Sequence, residues 1–188
     1  MEAIDALTSR LSAPALQPPE PDAATLERIL AAGANAPDHG KLRPFRFILI
    51  RGRARLTFGE VCATALKRRE PGIDDAGLER EKQKALRAPL IVVVAAKVTP
   101  HKIPEIEQVL AAGAAAQNIF LAAHAAGFGA MWKTGAPAYD PDVKRALGLA
   151  AEDAIVGFLY LGRPDRALPP RQPKPLTDLV QEWQGPAS

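Results

Sequence analysis

Apolar positions along the chain follow two rhythms, one of helical spacing and one of unbroken apolar strands, and their order lays out an architecture. Ile4, Leu7 and Leu11 predict a helix from Met1 to about Arg10. The Pro-rich stretch from Pro14 to Pro21 reads as an extended connector. Asp22 then suits the N-cap of a second helix, with Leu26, Ile29, Leu30 and Gly33 on one face and Pro37 as its stop.

Phe45 to Ile50 is almost continuously apolar and predicts a strand, followed by a helix from about Arg53 to Arg69 with Phe58, Val61, Cys62 and Ala65 on one side. Residues Arg68 to Gly77 are turn-rich and charged, which predicts a loop of some mobility before a short helix from Leu78 to Leu86. Pro89 to Lys97 is the strongest strand, and its apolar run on both faces predicts the middle of a sheet. The longest helix is expected from Pro104 to about Ala126. It is dominated by alanine and glycine, so another backbone can come close to it, in the core or at a dimer seam. A short strand from Phe128 to Trp132 follows, then a helix capped by Asp140-Pro141 and running to about Leu147. A further strand spans Ala154 to Leu161.

Strands separated by helices predict a sheet with helices packed around it. Spacing alone does not say which strands are parallel. No repeat or linker interrupts the order, so residues 1–188 are expected to form one domain. Residues 164–188 are a Pro-rich tail with few residues able to build a core, except for a possible last turn near Leu179. Such a tail is expected to lie on another surface, for instance that of a partner subunit.

Composition narrows the function classes. The hydrophobic share of 47% and charged share of 24% are ordinary for a globular chain. No run of about eighteen apolar residues reads as a membrane span. The acidic, amphipathic start Met1-Glu2-Ala3-Ile4-Asp5 does not resemble a secretory signal, so the expected address is the cytoplasm. The net charge of +3 is mild, and basic clusters such as Lys67-Arg68-Arg69 are short. Nucleic acid is therefore not an expected partner. The single cysteine, Cys62, is expected to pack as a small hydrophobe.

No Gly-x-Ser-x-Gly elbow, Walker sequence, His-Glu-x-x-His or paired-Cys motif occurs, and the histidines are only His39, His101 and His124. Hydrolysis by a nucleophile or a metal thus has little support, and no metal site is expected. A borrowed cofactor is the economical way for such a chain to do chemistry.

Three segments become informative together: Arg10-Leu11-Ser12, Asn35 to Phe45 (Asn-Ala-Pro-Asp-His-Gly-Lys-Leu-Arg-Pro-Phe), and Gly127 to Gly135 (Gly-Phe-Gly-Ala-Met-Trp-Lys-Thr-Gly). Supporting fragments are Ala88 to Val94, His101 to Pro104 with Glu107-Gln108, Gln117-Asn118, and Ile155 to Gly162. In this order and spacing the chain resembles the FMN-dependent nitroreductase family, most closely its short YdjA-type branch, from Ala3 to about Pro164.

The resemblance implies an α+β fold: a three-layer α/β/α sandwich around a mixed sheet, in an obligate-type homodimer. It implies FMN as cofactor and NADH or NADPH as reductant, with an oxidised acceptor such as a nitroaromatic or a quinone. Arg10 and Ser12 would meet the phosphate and ribityl hydroxyls, and Leu11 would contribute through its backbone or by packing. Asn35 and His39 would reach the flavin of the other subunit. Trp132, Lys133 and Thr134 would lie beside the isoalloxazine ring. Ala122, Ala123, His124, Ala125, Ala126 and Gly127 match a segment that in relatives contacts the nicotinamide cofactor. No catalytic side chain is implied, because hydride transfer needs alignment more than acid–base help.

The residues taken singly leave other readings open. Arg10 could serve only the helix dipole, Ser12 a turn, His39 a loop, and Trp132 the core; the alanine run could be packing alone. The chain also departs from the family pattern. Leu11 stands where relatives often carry a second Arg, Arg43-Pro44-Phe45 replaces Gln-Pro-Trp, and Lys133 replaces an Arg, losing its bidentate fork. Arg163, Arg166 or Arg171 could restore a cation at the phosphate. Two rival functions follow: a flavoenzyme with a different reaction, and a dimeric flavin-binding or interaction module without turnover.

Overall fold

The longest apolar run becomes the centre of the sheet. In the computed structural model, which describes residues 1–170, 172 and 175–185, Leu90–Ala96 is strand β3 and every residue of it is buried. Numbered in chain order, β2 (Phe45–Arg51) flanks it on one edge and β5 (Ala154–Pro164) on the other. Beyond β5 lie β4 (Gly129–Lys133) and the short β1 (Leu16–Gln17), completing a five-stranded sheet. All these strand pairs are antiparallel, and among the described residues the mixed character implied for the sheet is confined to one parallel bridge, Ser12 to Ala130.

Side-chain alternation along β3 builds two cores. Leu90, Val92, Val94 and Ala96 join Leu159 and Leu161 of β5 against helices α2 (Ala23–Ala34) and α5 (Glu105–Ala125). Ile91 and Val93 join Phe158 and Tyr160 against α3 (Ala54–Arg69), with α4 (Asp75–Lys84) packed on α3 and α6 (Pro141–Ala146) beside it. Helix α1 (Ala3–Ser9) lies against α5. The result is the expected α/β/α layering.

Local chemistry explains the helix ends. Asp22 accepts a hydrogen bond from the Thr25 N–H at 2.8 Å and starts α2, as its sequence position predicts. Asp140 accepts from the N–H groups of Asp142 and Val143 and starts α6 ahead of Pro141. Helices α2 and α5 approach closely because Gly33 has no side chain: a Cβ there would stand 2.6 Å from Ile119. The amide of Asn118 donates to the Ala32 carbonyl at 3.1 Å and ties the same crossing. By length and composition α5 would suffice to cross a bilayer, yet here one whole face is buried in the sandwich.

Three boundaries differ from the sequence expectation. The Pro-rich connector contains β1, because Leu16 and Gln17 pair with Pro164 and Arg163. For the same reason β5 runs past Leu161 to Pro164. The charged stretch 68–77 is shorter and better tied than a free loop. Asp74 caps α4 by accepting from the Gly77 N–H at 2.7 Å, and Lys67 donates to the Ile73 carbonyl at 2.9 Å. In the tail a turn closes where the Leu179 N–H donates to the Leu176 carbonyl at 2.9 Å.

Candidate functional site

Three chain segments meet at the start of β4. Arg10 ends α1, and its guanidinium lies 4.5 Å from the centroid of the Phe120 ring on α5, a cation–π contact. Its neighbour Ser9 shares a 3.0 Å hydrogen bond with Nε2 of His124, one turn further along α5. Burial pushes the His124 pKa down and the nearby Arg10 charge adds to that, so both favour the neutral ring. Leu11 is half-buried. Ser12, exposed, bridges to Ala130, and the Ala13 N–H donates to the Ala130 carbonyl at 2.9 Å. Arg10 and Ser12 are therefore laid alongside the first residues of β4.

A second cation stands at the same end. Arg163 on β5 stacks over Phe128 at 4.1 Å and donates to the Gly127 carbonyl at 2.7 Å. Of the three arginines that could replace the missing cation at position 11, Arg163 is the one held against the end of α5; Arg166 is exposed beyond β5, and Arg171 lies outside the described residues. Residues Ala122 to Gly127 close α5. The Gly127 N–H bonds to the His124 carbonyl and the Phe128 N–H to the Ala123 carbonyl, with Gly127 at φ 80°, a left-handed helix stop. Ala123 is fully buried, whereas Ala125, Ala126 and Gly127 are exposed. Packing and capping are the roles that the structure shows for this segment.

Trp132, Lys133 and Thr134 lie at the other end of β4, about 7–13 Å from Ala130 at strand rise. The Trp132 indole N–H donates to the Val156 carbonyl at 3.2 Å, and the ring occupies the space that Gly157 leaves; a Cβ at Gly157 would stand 2.1 Å from Nε1. Lys133 and Thr134 are exposed. From them and Gly135 a cavity of about 420 Å3 runs in between the sheet and helices α3 and α4. Its size is that of a small-molecule pocket. Phe58, Leu66, Phe158 and Pro137 give it apolar walls, and Cys62, Arg69, Glu81, Lys84, Arg87 and Tyr160 give it polar ones.

The polar walls are mostly locked. Glu81, only 8% exposed, pairs with Lys84 at 2.5 Å. Arg69 donates to Asp140 at 2.7 Å, and Arg68 bonds both Asp140 and Asp142. Burial raises the Asp140 carboxyl, but donors from Arg69, the Val143 N–H and Arg68 together outweigh it and hold the carboxyl below the usual range. Burial, with Glu81 nearby, pushes the Cys62 thiol up to about 12, so it stays protonated.

Asn35 and His39 are not brought to this place. Asn35 is the exposed C-cap of α2. His39 is paired through Nδ1 with Glu107 at 2.5 Å, near the start of α5, whereas Arg10 sits at Phe120 and His124 near its end. Along the helix axis Glu107 and His124 are about 25 Å apart. One chain cannot place His39 beside its own Arg10.

The cavity's polar walls were missed from sequence. Tyr160 carried the one available signal, a hydroxyl inside the apolar strand 154–161. Phe120 beneath Arg10 gave none, being one aromatic in a helix of core residues.

A sequence profile described as the Nitroreductase family matches residues 7–163. The chain is 41% identical over 165 residues to "Putative NAD(P)H nitroreductase YdjA" of Escherichia coli K12, covering 87% of this chain and 89% of that one. It is 34% identical over 164 residues to "Putative NAD(P)H nitroreductase" of Haemophilus influenzae, covering 86% and 88%. In fold it matches a nitroreductase-like family protein from Bacillus cereus, with a TM-score of 0.82 at 24% identity over 98% of this chain and 97% of that one. It also matches a nitroreductase with bound FMN from Bacteroides fragilis, with a TM-score of 0.74 at 23% identity over 97% and 100%.

Proposed function

The chain belongs to the nitroreductase family, and on that premise we propose that it is an FMN-dependent NAD(P)H oxidoreductase working as a homodimer. The observation that carries this reading is a single line of fitting groups along β4. A half-buried cation and a hydroxyl, Arg10 and Ser12, stand at one end, and a cavity of about 420 Å3 opens at Lys133–Gly135 at the other. A phosphate, a hydroxylated chain and an aromatic ring need those three things in that order.

In this reading Arg10 and Ser12 hold the phosphate and ribityl chain, with Leu11 contributing only packing and backbone. Arg163 adds positive charge at that end. Trp132, fixed by its bond to Val156, sets the course of Lys133 and Thr134 beside the ring. Bound there, FMN would supply two-electron chemistry, taking hydride at N5 from NADH or NADPH and passing it to an oxidised acceptor such as a nitroaromatic or a quinone. The chain's own part is to align the partners and keep the ring in place.

The homodimer rests on two features. Ile4 and Leu7 of α1 and Ile106 and Leu110 of α5 are exposed, as are Leu176, Leu179, Val180 and Trp183 of the tail, more apolar surface than a lone subunit needs. The separation of His39 from Arg10 along α5 also makes sense if Asn35 and His39 serve the partner subunit's site, and the tail if it wraps that subunit. A reductase drawing on nicotinamide nucleotides belongs in the cytoplasm.

The test is an absorption spectrum after loading with FMN and removing the excess, followed by anaerobic titration with NADH and NADPH. A retained flavin spectrum that bleaches with either nucleotide is expected. Arg10→Ala should cost a charge-assisted contact of about 1.5–3 kcal/mol, weakening FMN binding about 10- to 100-fold. Protein that retains no flavin, or an Arg10→Ala variant with unchanged occupancy, would overturn the assignment.

A further inference from the structure

The cavity beside Lys133–Gly135 is lined by a buried hydroxyl for which the described residues supply no partner. Tyr160 is only 9% exposed, and among the described residues its hydroxyl makes no hydrogen bond. Among the described residues no buried side-chain nitrogen or oxygen sealed from solvent lacks a partner, so this hydroxyl is not sealed in; its ring lines the cavity, and the opening it sees is that cavity. Two of the charged walls are already paired, Glu81 with Lys84 and Arg69 with Asp140. Arg87, on the same wall, adds a positive charge close enough to act on the phenol.

We propose that the Tyr160 hydroxyl, flanked by Arg87, is a hydrogen-bond donor to the ligand of this cavity, a flat heteroaromatic ring presenting an acceptor-bearing edge. The assignment rests on the flavin reading given above. The chemistry of the wall selects an acceptor. Burial first, then the Cys62 and Glu81 neighbours, push the phenol up to about 12, so it keeps its proton throughout the physiological range and can donate. Because the hydroxyl is open to the cavity, a ligand carbonyl or ring nitrogen arriving there replaces its contact with water by a direct hydrogen bond. Phe58 and Phe158, 5.5 Å apart between ring centroids, supply the apolar surface for the flat part of such a ring. Tyr160 is thus a positioning residue that holds the ring and shifts its electronics, and it takes no part in hydride transfer.

The experiment compares wild type with Tyr160→Phe, which keeps the ring and loses only the hydroxyl. FMN fluorescence quenching gives the dissociation constant, the visible absorption band reports the ring's surroundings, and the midpoint potential reports the donor's effect on reduction. The expected result is FMN binding weakened about three- to tenfold, the size of one neutral hydrogen bond, with a shifted band and a lower potential. Without FMN the variant should melt close to wild type, because the hydroxyl it loses is open to the cavity and bonds no protein group. Unchanged affinity, band and potential in Tyr160→Phe would overturn the role of Tyr160 while leaving the flavin reading intact. Wild type that binds no FMN would overturn both, and the wild-type control separates the two cases.

Discussion

The two faces of the sheet are built on opposite plans. Toward α2 and α5 the contacts are between small residues, with Ala112, Ala115, Ala116 and Ile119 at zero exposure and Gly33 admitting Ile119 at van der Waals range. Toward α3 and α4 the side chains are larger and more polar, and a cavity of about 420 Å3 is left among them. Closeness on the first face supplies stability and holds Arg10 over Phe120. Incomplete filling on the second leaves room for a ligand. The two tasks fall in different layers here, because a surface packed to interior density has no room for a substrate.

The sharpest test of that contrast is a pair of truncations. Ile119→Ala removes a fully buried side chain from the closed face and should cost about 3–4 kcal/mol in urea unfolding. Leu66→Ala removes a partly exposed side chain that borders the cavity and should cost about 1 kcal/mol, because less contact is lost. Equal costs would mean that the second face is packed as tightly as the first.

Gly157→Ala probes the point where one face reaches the candidate site. Its Cβ would sit 2.1 Å from the Trp132 indole nitrogen, so the ring must move and its bond to the Val156 carbonyl is lost. A destabilisation of about 2–3 kcal/mol is expected, together with altered Trp132 fluorescence. If Trp132 holds the course of Lys133 and Thr134, the same variant should bind FMN more weakly. A variant that is destabilised but binds normally would confine Trp132 to the core.

Asp140 joins α3 to the loop that rims the cavity, through Arg68, Arg69 and the cap of α6. Asp140→Asn keeps an acceptor but removes the charge, and a cost of about 1–3 kcal/mol at pH 7 is expected. The sign with pH follows from the lowered carboxyl. Its stabilisation is complete above the unfolded-state value, near 3.9, and is lost as pH falls through the lower folded-state value. The gap between wild type and Asp140→Asn should therefore be constant from pH 5 to 7 and close below about pH 4. A gap that persists in acid would mean that the charge is not what holds the loop.

The fold was legible because its signals are local. Asp22 and Asp140 cap where their sequence positions predict, and the apolar run at Leu90 can only be a strand buried on both sides. β1 was not legible, since Leu16 and Gln17 become a strand only through pairing with Arg163 and Pro164, far along the chain. The site divides in the same way. Arg10, Ser12 and the Trp132 segment could be picked out through a family resemblance carried by short motifs. Glu81 and Lys84 could not, and Tyr160 showed only as a lone hydroxyl in an apolar strand, because what makes them a wall is the folding of α4 and β5 onto one cavity, and no motif spans that distance. His39 and Asn35 mark a further limit: their separation from Arg10 appears only when α5 gives the ruler.

The smallest effect concerns His124, which sits where the closed face ends. Its pKa is lowered by burial and by Arg10, so it adds stability above the unfolded-state value near 6.5, and that contribution is lost as pH falls below it. A phosphate held by Arg10 would offset the cation that helps to suppress protonation. It would also add negative charge near the imidazole, which Ser9 ties to the end of α1. Loading with FMN should therefore raise the His124 pKa and draw protons from solution on binding. An NMR titration of the His124 ring with and without FMN reads this directly. An upward shift would place the phosphate at the closed face's end, opposite the ring's cavity, and join the two faces through one ligand. An unmoved His124 in protein that retains FMN would place the phosphate elsewhere, and Arg10 would be left as the cap that stacks on Phe120.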